Sequence, residues 1–349
     1  MARILITGGG GFIGSHACVV LIEAGYDLIV IDSFINSSPI CLERVGEITR
    51  LKNNLASQRL HVIRCDVRDS TAIHKVFEDS RKEMKPIDAV MHFAGLKSVH
   101  ESIKNPLAYW DVNVNGSRSL LSVMERFNCK TFIFSSSATL YGAATEIPIR
   151  ESAAIRPINP YGNSKAAVER LLIDLFNSNN EWNIACLRYF NPVGAHPSGL
   201  IGEDPLGTPN NLFPFISQVA IGRQDSLKIF GGDWDTADGT CIRDYIHTMD
   251  LAEGHLAGLN FLLNKKGEMI IVNLGSGTGH SVLEVVKEFE KVTGIKIKSQ
   301  IVGRRPGDAA ITVADPALAK EILKWETKRS LHEMCLDGWV WQKANPYGY

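Results

Sequence analysis

The sequence predicts an α/β protein with a Rossmann-type doubly wound parallel sheet and a smaller C-terminal α/β domain. In the first half, short β-branched runs alternate with longer amphipathic stretches, which is typical of strands joined by crossover helices. A glycine-rich segment, Gly8–Gly14, joins the first strand to the first helix. The chain has 349 residues, 45% of them hydrophobic and 21% charged. This is the composition of a globular protein of about two domains.

Composition excludes several classes of protein. Lys and Arg number 37 and Asp and Glu 38, so the chain has no net basic field to attract nucleic acid or an anionic membrane. No apolar run reaches the ~18 residues of a membrane helix, and the N-terminus lacks the apolar region of a signal peptide. The 7 cysteines are scattered without a C-x-x-C pair, which indicates reduced thiols. The histidines lack the spacing of metal ligands. We therefore expect a cytoplasmic protein with no metal and no nucleic-acid or membrane partner.

The predicted elements of the first half alternate regularly. The buried strands are Arg3–Thr7, Leu28–Asp32, Leu60–Cys65, Ala89–Phe93 and Thr131–Ser135. The helices between them are Ile13–Ala24, Cys41–Leu55, Thr71–Lys82 and Ala108–Phe127. The helix Tyr161–Ser178 and the strand Asn183–Phe190 complete a nucleotide-binding domain at residues 1–190. Residues 191–349 form the smaller domain, some segments of which we expect to be interleaved with the first.

The pattern changes after the predicted boundary. Residues 191–239 are rich in Pro, Gly and Asn, which predicts a long loop region with few long elements, and such loops are usually functional. Helical patterns return at Thr248–Leu263, Val282–Thr293, Ala317–Leu323 and Leu331–Trp341. A second glycine cluster, Gly275–Gly279, follows the strand Met269–Leu274. We interpret it as a strand-to-helix turn because no acidic residue ends a following strand.

The first glycine cluster predicts a dinucleotide site. Gly8, Gly11 and Gly14 have the spacing at which one glycine makes the turn, one admits the pyrophosphate and one lets helix and strand pack closely. The next strand ends at Asp32, whose carboxylate can accept hydrogen bonds from a ribose and repels a 2′-phosphate. Because residues 33–36 contain no Arg or Lys, NAD is favoured over NADP.

Polar or small residues at three further positions are consistent with that site. Asp66 and Val67 follow the third strand, where they could contact the adenine of the dinucleotide. An equally good alternative is that Asp66 is the N-cap of the following helix. Phe93-Ala94-Gly95 ends the fourth strand, and its residues are small enough for a nicotinamide ring to lie against them. Asn113 is polar within an apolar helix, and either a functional role or a structural bend of the helix would explain it.

A tyrosine and a lysine four residues apart predict a general base. Tyr161 and Lys165 lie on one helix face, and a nearby ammonium favours the phenolate by lowering the tyrosine pKa. A surface Tyr/Lys pair is the alternative for this motif alone. Ser137 follows the fifth strand, at the sheet edge where open α/β sheets bind ligands, and could bond the same substrate oxygen.

These residues resemble the extended short-chain dehydrogenase/reductase superfamily and, within it, the UDP-galactose 4-epimerase family. The resemblance covers essentially the whole chain in order. It rests on the segments 133–142, 188–196, 209–212, 243–247, 304–308 and 339–349, besides the glycine loop, Asp32 and the Ser-Tyr-Lys set.

The resemblance implies an isomerase in which NAD and Tyr161 convert a UDP-hexose through a transient 4-keto sugar. It makes Tyr161 the base, Lys165 the residue that tunes it, and Ser137 the residue that orients the 4-oxygen. The cofactor residues it implies are Gly8, Gly11, Phe12, Ile13, Gly14, Asp32, Asn36, Ser37, Asp66, Val67, Phe93, Ala94, Gly95, Lys97, Asn113, Tyr161, Lys165 and Phe190. The substrate residues are Ser137, Tyr161, Asn191, Asn211, Leu212, Phe230, Arg243, Tyr245, Arg305, Asp308 and Thr312. It also implies a homodimer joined by the helices Ala108–Phe127 and Tyr161–Ser178.

Thr312 bears on the range of substrates. Members of the family carry either a bulky tyrosine or a small residue at this position, and threonine leaves space for a sugar N-acetyl group. We therefore expect UDP-GalNAc and UDP-GlcNAc to be accepted beside UDP-galactose and UDP-glucose. A UDP-GlcNAc-specific 4-epimerase, a simple alcohol dehydrogenase and a non-catalytic NAD(H) sensor are the alternatives. A 4,6-dehydratase is disfavoured because Ala138-Thr139, not an Asp-Glu pair, follows Ser137.

Overall fold

The structure is a computed structural model that describes residues 2–52, 59–205, 209, 211–305 and 307–349. Its strands are β1 (Arg3–Thr7), β2 (Asp27–Asp32), β3 (Leu60–Arg64), β4 (Ala89–His92), β5 (Thr131–Ser137), β6 (Asn183–Tyr189), β7 (Asn191–Val193), β8 (Leu227–Phe230), β9 (Ile242–His247), β10 (Met269–Leu274), β11 (Gly279–Ser281), β12 (Ser299–Val302) and β13 (Ile311–Thr312).

The α-helices are α1 (Phe12–Glu23), α2 (Ile40–Lys52), α3 (Ser70–Lys82), α4 (Val99–Lys104), α5 (Pro106–Tyr109), α6 (Gly116–Arg126), α7 (Pro160–Ser178), α8 (Leu212–Ala220), α9 (Thr248–Leu263), α10 (Val282–Thr293) and α11 (Leu331–Ala344). Turns of π-helix occur at Trp110–Asn115 and Ala319–Leu323, and a turn of 3₁₀-helix at Ala138–Tyr141.

The predicted doubly wound sheet is confirmed. Seven parallel strands lie in the order β10-β6-β5-β4-β1-β2-β3, and the order reverses between β1 and β4. Residues of each strand alternate between two apolar layers, because successive side chains of a strand point to opposite faces. Ile4 and Ile6 join the layer with α1 and α9, whereas Leu5 joins the layer with α3 and α6. The switch point between β1 and β4 is where open α/β sheets bind ligands.

The sheet includes a strand from beyond residue 190. β10 pairs with β6 from Met269↔Ile184 to Leu274↔Tyr189, and α9 packs against α1. The division at residue 190 stays a prediction. Smaller sheets complete the C-terminal part: β9 lies between β11 and β13 and also pairs with β7, while β8 pairs with β12.

Three predictions about individual elements are wrong. The strand β3 was expected to be buried, but it is the sheet's edge and four of its five residues are exposed. The single helix predicted over Ala108–Phe127 is α5, a π-helical turn and α6, and α4 precedes them. The described part of the loop region 191–239 contains only the short elements β7, α8 and β8, in agreement with the expectation of few long elements. The Gly275–Gly279 turn leads into β11, and the helix α10 begins only after it. The last residues of the predicted helix Cys41–Leu55, at 53–55, lie outside the described residues, as do residues 210 and 306.

Candidate active site

The glycine segment forms a turn that no larger residue could form. Gly8 has a φ of +70°, and a Cβ there would lie 2.5 Å from the backbone nitrogen of Ala94. A Cβ on Gly14 would lie 2.3 Å from the carbonyl oxygen of Gly8. Because Gly11 has no side chain to cap α1, the first-turn amides of the helix, which include Phe12 and Ile13, can face an anion. The turn therefore fits the pyrophosphate of a dinucleotide.

Asp32 fixes this turn to the end of β2. Its carboxylate accepts from the Gly10 amide at 2.8 Å, the Phe34 amide at 2.8 Å and the Ser37 hydroxyl at 3.0 Å. A carboxylate offers about four acceptor sites, so one remains for a ribose hydroxyl. Asn36 is exposed beside it. The residues present fit NAD.

Asp66 does not cap the following helix. The cap of α3 is Asp69, which accepts from the Ala72 amide at 2.9 Å, so the capping alternative for Asp66 is wrong. Both oxygens of Asp66 instead accept from Arg68, which also donates to Asp111 at 2.6 Å. The Arg68 guanidinium lowers the pKa of Asp66. Asp66 is thus a fixed carboxylate at the end of β3, where the adenine was predicted.

Asn113 lies in the π-helical turn and joins two parts of the site. Its side-chain oxygen accepts from the Leu96 amide at 2.8 Å. Its amide group donates to the Leu96 carbonyl at 3.1 Å and to the Ser164 hydroxyl at 2.9 Å. Ser164 in turn donates to the carbonyl of Tyr161 at 2.7 Å. Both amide hydrogens of Asn113 are engaged, so its side chain does not donate to a cofactor; it holds the 95–97 loop against the helix that carries Tyr161.

Tyr161 is the second residue of the helix α7, and the residues before it fix the start of that helix. Asn159 caps the helix by accepting from the Gly162 amide at 2.8 Å, and Pro160 suits the first helical position. The phenol is 4% exposed, and its oxygen lies 3.5 Å from that of Tyr189. Ser137, at the end of β5, supplies a further hydroxyl that interacts with Tyr161.

Lys165 is buried one turn later. Its Nζ donates to the Ser135 carbonyl at 2.9 Å and lies 4.7 Å from the centre of the Phe134 ring. Burial lowers the pKa of Lys165 to about 8, and Glu169 opposes that change.

The expectation that Lys165 lowers the pKa of Tyr161 is wrong for this structure. Burial raises the pKa of Tyr161, and the groups that oppose this are Tyr189, Ser137 and Lys97. The protein's own groups therefore keep the phenol protonated at neutral pH. A positive charge brought beside it, such as that of an oxidised nicotinamide, would favour the phenolate.

Strand register gathers the predicted substrate residues around β9. Asn191 of β7 pairs with Tyr245 of β9, and Thr312 of β13 pairs with Arg243. Arg243 and Tyr245 are two residues apart on one strand and so share a face. The register therefore brings Asn191, Arg243, Tyr245 and Thr312 together.

Two arginines can bind a diphosphate. Arg305 donates to both oxygens of Asp308, at 3.2 and 3.0 Å, and lies 5.3 Å from the centre of the Phe230 ring. Arg243 donates to the Ile242 carbonyl at 2.9 Å. A guanidinium has five N–H donors in a fixed fork, so each arginine keeps donors for a ligand. Phe230 is 39% exposed and offers a ring face beside Arg305.

A carboxylate that the sequence did not indicate bridges the two parts of the site. One oxygen of Glu203 accepts from Lys97 Nζ at 2.9 Å and from the Asn211 amide group at 2.9 Å. The Glu203 side chain is 8% exposed. The motif Gly202-Glu203-Asp204 gave no spacing signal, and only tertiary packing places it between Lys97 and Asn211.

The remaining predicted residues lie at the ends of strands and helices or in the core. Phe93, Ala94 and Gly95 follow β4, Leu212 begins α8 behind its N-cap Asn211, and Phe190 is buried with its amide on the Leu274 carbonyl. Val67 is buried against Gly116. His92 is a core residue: it is 1% exposed with both ring nitrogens bonded, to Thr7 and Ser117.

No group of three or more His, Cys, Asp or Glu residues in the described ranges could hold a metal ion. None of the helices in the same ranges is long and apolar enough to cross a membrane.

The parallel sheet, the glycine turn and the Ser137-Tyr161-Lys165 constellation define a short-chain dehydrogenase/reductase. Residues 5–337 match the family model described as GDP-mannose 4,6 dehydratase. UDP-glucose 4-epimerase of Bacillus subtilis is 50% identical over 346 residues, which are 99% of this chain and 98% of that protein. The enzyme of the same name from Pasteurella multocida is 49% identical over 99% of both chains.

A solved structure agrees with these relatives. UDP-glucose 4-epimerase from Bifidobacterium longum, in complex with NAD+ and UDP, has a TM-score of 0.93 and 44% identity over 100% of both chains. The chain belongs to the UDP-glucose 4-epimerase family.

Proposed function

We propose that this chain catalyses the NAD-dependent 4-epimerisation of UDP-hexoses and interconverts UDP-galactose and UDP-glucose. It is thus an isomerase. The observation that carries this is the buried Tyr161 beside Ser137, with Lys165 buried one helical turn later, at the sheet edge that also holds the glycine turn. Relatives and solved neighbours that carry this name, some with NAD and UDP bound, support it.

The chain's residues have separable tasks in this reaction. NAD, when bound, supplies a centre that accepts a hydride from the sugar C4 and returns it. Tyr161 removes the proton of the 4-hydroxyl and gives it back, while Ser137 holds the 4-oxygen by a hydrogen bond. Arg243 and Arg305 bind the diphosphate. Because the arginines hold the diphosphate and the sugar has only weaker contacts, the 4-keto sugar can turn and present its other face.

Turnover of the purified protein tests this function. Interconversion of UDP-galactose and UDP-glucose should proceed without net formation of NADH, and hydrogen isotope at C4 should stay on the sugar. Net NADH formation would indicate an alcohol dehydrogenase. Bound NAD with no turnover of any UDP-sugar would indicate a sensor, against the proposal.

Acceptance of N-acetylated sugars is the finer part of the proposal. Thr312 is half-buried opposite Arg243, so a larger residue there would enter the space beside the sugar. We expect Thr312→Tyr to lower kcat/KM for UDP-GalNAc by about 10–200-fold, the usual effect of steric exclusion in a pocket. The measurement compares UDP-GalNAc and UDP-galactose in one assay. Thr312→Ala is the control and should retain both activities; equal UDP-GalNAc turnover by wild type and Thr312→Tyr would contradict the pocket argument.

A homodimer is the expected assembly. Apolar side chains of α4, α5 and the π-helical turn are exposed: Ile103 by 56%, Leu107 by 81% and Trp110 by 44%. They adjoin two of the helices that the family resemblance places at the interface, and neighbouring exposed apolar side chains favour association. We expect Leu107→Asp to shift the protein toward monomer in analytical ultracentrifugation. Leu51→Asp on α2, where Leu51 is 82% exposed, is the matched control and should not. The cytoplasm remains the location we propose.

A further inference from the structure

The hydroxyl of Ser137 is held by the residue two places after it. The Ser137 side chain is the N-cap of the 3₁₀ turn Ala138–Tyr141, and its Oγ accepts from the Thr139 amide at 3.2 Å. The same Oγ also accepts from the Thr139 hydroxyl at 2.9 Å. Ser137 is 4% exposed and Thr139 is half-buried. Two hydrogen bonds from one residue therefore reach the same oxygen.

The turn that carries Thr139 is fixed against the helix of Tyr161. A Cβ on Gly162, the residue after Tyr161, would lie 2.9 Å from the Thr139 carbonyl oxygen, so the two segments are in close contact. The next residue of the turn, Leu140, accepts at its carbonyl from the Arg156 amide at 3.0 Å. The Thr139 hydroxyl thus reaches Ser137 from a backbone that has little freedom to move.

The two contacts occupy both acceptor positions of Ser137. A serine hydroxyl has two lone pairs that accept and one hydrogen that donates. Since Thr139 engages both lone pairs, the hydrogen is what Ser137 has left for another partner. Ser137 also interacts with the phenol of Tyr161. The geometry therefore makes Ser137 a hydrogen-bond donor toward the site.

Capping of the turn does not require the second contact. An N-cap side chain accepts from the amide of the second or third residue that follows it, and the Thr139 amide already supplies that bond. The bond from the Thr139 hydroxyl is additional. Without it, one lone pair of Ser137 would be free to accept from the site, and the hydrogen could turn away from it.

We propose that Thr139 is a positioning residue, which acts through Ser137 by directing the hydrogen of its hydroxyl toward Tyr161 and the sugar 4-oxygen. The inference rests on the proposed function, in which Ser137 holds that oxygen. The 4-oxygen is a hydroxyl in the substrate and a carbonyl in the 4-keto sugar, and a carbonyl accepts but does not donate. A serine fixed as a donor keeps its bond to this oxygen in both forms.

The first test is the steady-state kinetics of Thr139→Val, which removes the hydroxyl and keeps the shape of the side chain. We expect kcat for UDP-galactose to fall by about 3–10-fold with KM unchanged, the effect of losing one neutral hydrogen bond that acts in the transition state. Thr139→Ser keeps a hydroxyl and should restore the rate. If Thr139→Val fails to fold, Thr139→Ala removes the same hydroxyl and should show the same loss.

Thr293→Val is the matched control for loss of a threonine hydroxyl. The Thr293 hydroxyl donates to the Phe289 carbonyl at 2.8 Å within α10, so this variant should turn over as wild type does. An unchanged kcat in Thr139→Val, or a raised KM with kcat retained, would overturn the proposal.

A double variant separates action through Ser137 from a structural role. Ser137→Ala/Thr139→Val should be no slower than Ser137→Ala, because the group that Thr139 directs is already absent. Losses that multiply in the double variant would mean that the two residues act independently, which contradicts the inference.

A readout without turnover distinguishes this inference from the proposed function. Isotope-labelled tyrosine, with the Tyr161 signal assigned by its loss in Tyr161→Phe, reports the ionisation of the phenol by NMR in protein with NAD and no sugar. The hydrogen bond from Ser137 lowers the pKa of Tyr161, and the other groups that lower it, Tyr189 and Lys97, are the same in wild type and Thr139→Val. A higher titration midpoint in Thr139→Val supports the inference even if wild type turns over no UDP-sugar. An unchanged midpoint overturns it even if wild type is an active epimerase.

Discussion

Tyr161→Phe is expected to lower kcat for UDP-galactose epimerisation by roughly 10²–10⁴-fold, the range for loss of a general acid–base group. The variant removes the oxygen that takes the 4-hydroxyl proton and leaves the ring in place. Among the described residues, that oxygen contacts only other hydroxyl groups, those of Tyr189 at 3.5 Å and Ser137, so the fold should be little affected. Initial rates at saturating substrate measure the effect, with NAD content determined on the same samples.

Tyr26→Phe is a matched control for that change. The Tyr26 hydroxyl donates to Asn260 at 2.6 Å, away from the site, so this variant should turn over as wild type does. Unchanged epimerisation by Tyr161→Phe would remove the base from the proposed mechanism. Washout of C4 hydrogen isotope into solvent would contradict direct return of the hydride.

Gly14→Ala is expected to destabilise the protein by about 3 kcal/mol and to weaken NAD binding. Both effects have the same cause, which is a steric clash of the new Cβ with the glycine turn. The new Cβ would lie 2.3 Å from the Gly8 carbonyl oxygen and 2.8 Å from Gly9 Cα. Both are backbone atoms of the turn, so relief of the clash moves the segment that faces the pyrophosphate. Denaturant unfolding and NAD titration measure the two losses.

Gly46→Ala on α2 is the control for glycine replacement in a helix. A Cβ at Gly46 meets nothing within 4 Å. Alanine is favoured over glycine inside a helix by about 1 kcal/mol, so this variant should be as stable as wild type or more stable. If Gly14→Ala had the same NAD affinity and the same free energy of unfolding as Gly46→Ala, the argument from close packing in the glycine turn would be contradicted.

Local sequence is sufficient to predict the N-terminal half of the site. The strand β1, the glycine turn, the start of α1 and Asp32 follow one another within 32 residues, and each has a strong local preference. The Tyr161–Lys165 spacing likewise needs only one helix to place both side chains on one face.

Features that depend on distant packing could not be predicted. The π-helical turn at Trp110–Asn115 has the apolar spacing of an ordinary helix, and it forms where Asn113 bonds Leu96, seventeen residues away in sequence. The exposure of β3 depends on its being the sheet's edge. The pKa of Tyr161 depends on how deeply the assembled fold buries it, which a four-residue spacing does not show.

The strand β10 has a consequence for dissecting this protein. A fragment of residues 1–190 would leave the outer edge of β6 with its backbone amides and carbonyls unsatisfied, and would uncover the apolar surface of α1 that α9 covers. Such a fragment presents a template for intermolecular strand pairing. We therefore do not expect the nucleotide-binding half to fold on its own, because the seventh strand of its sheet comes from residues 269–274.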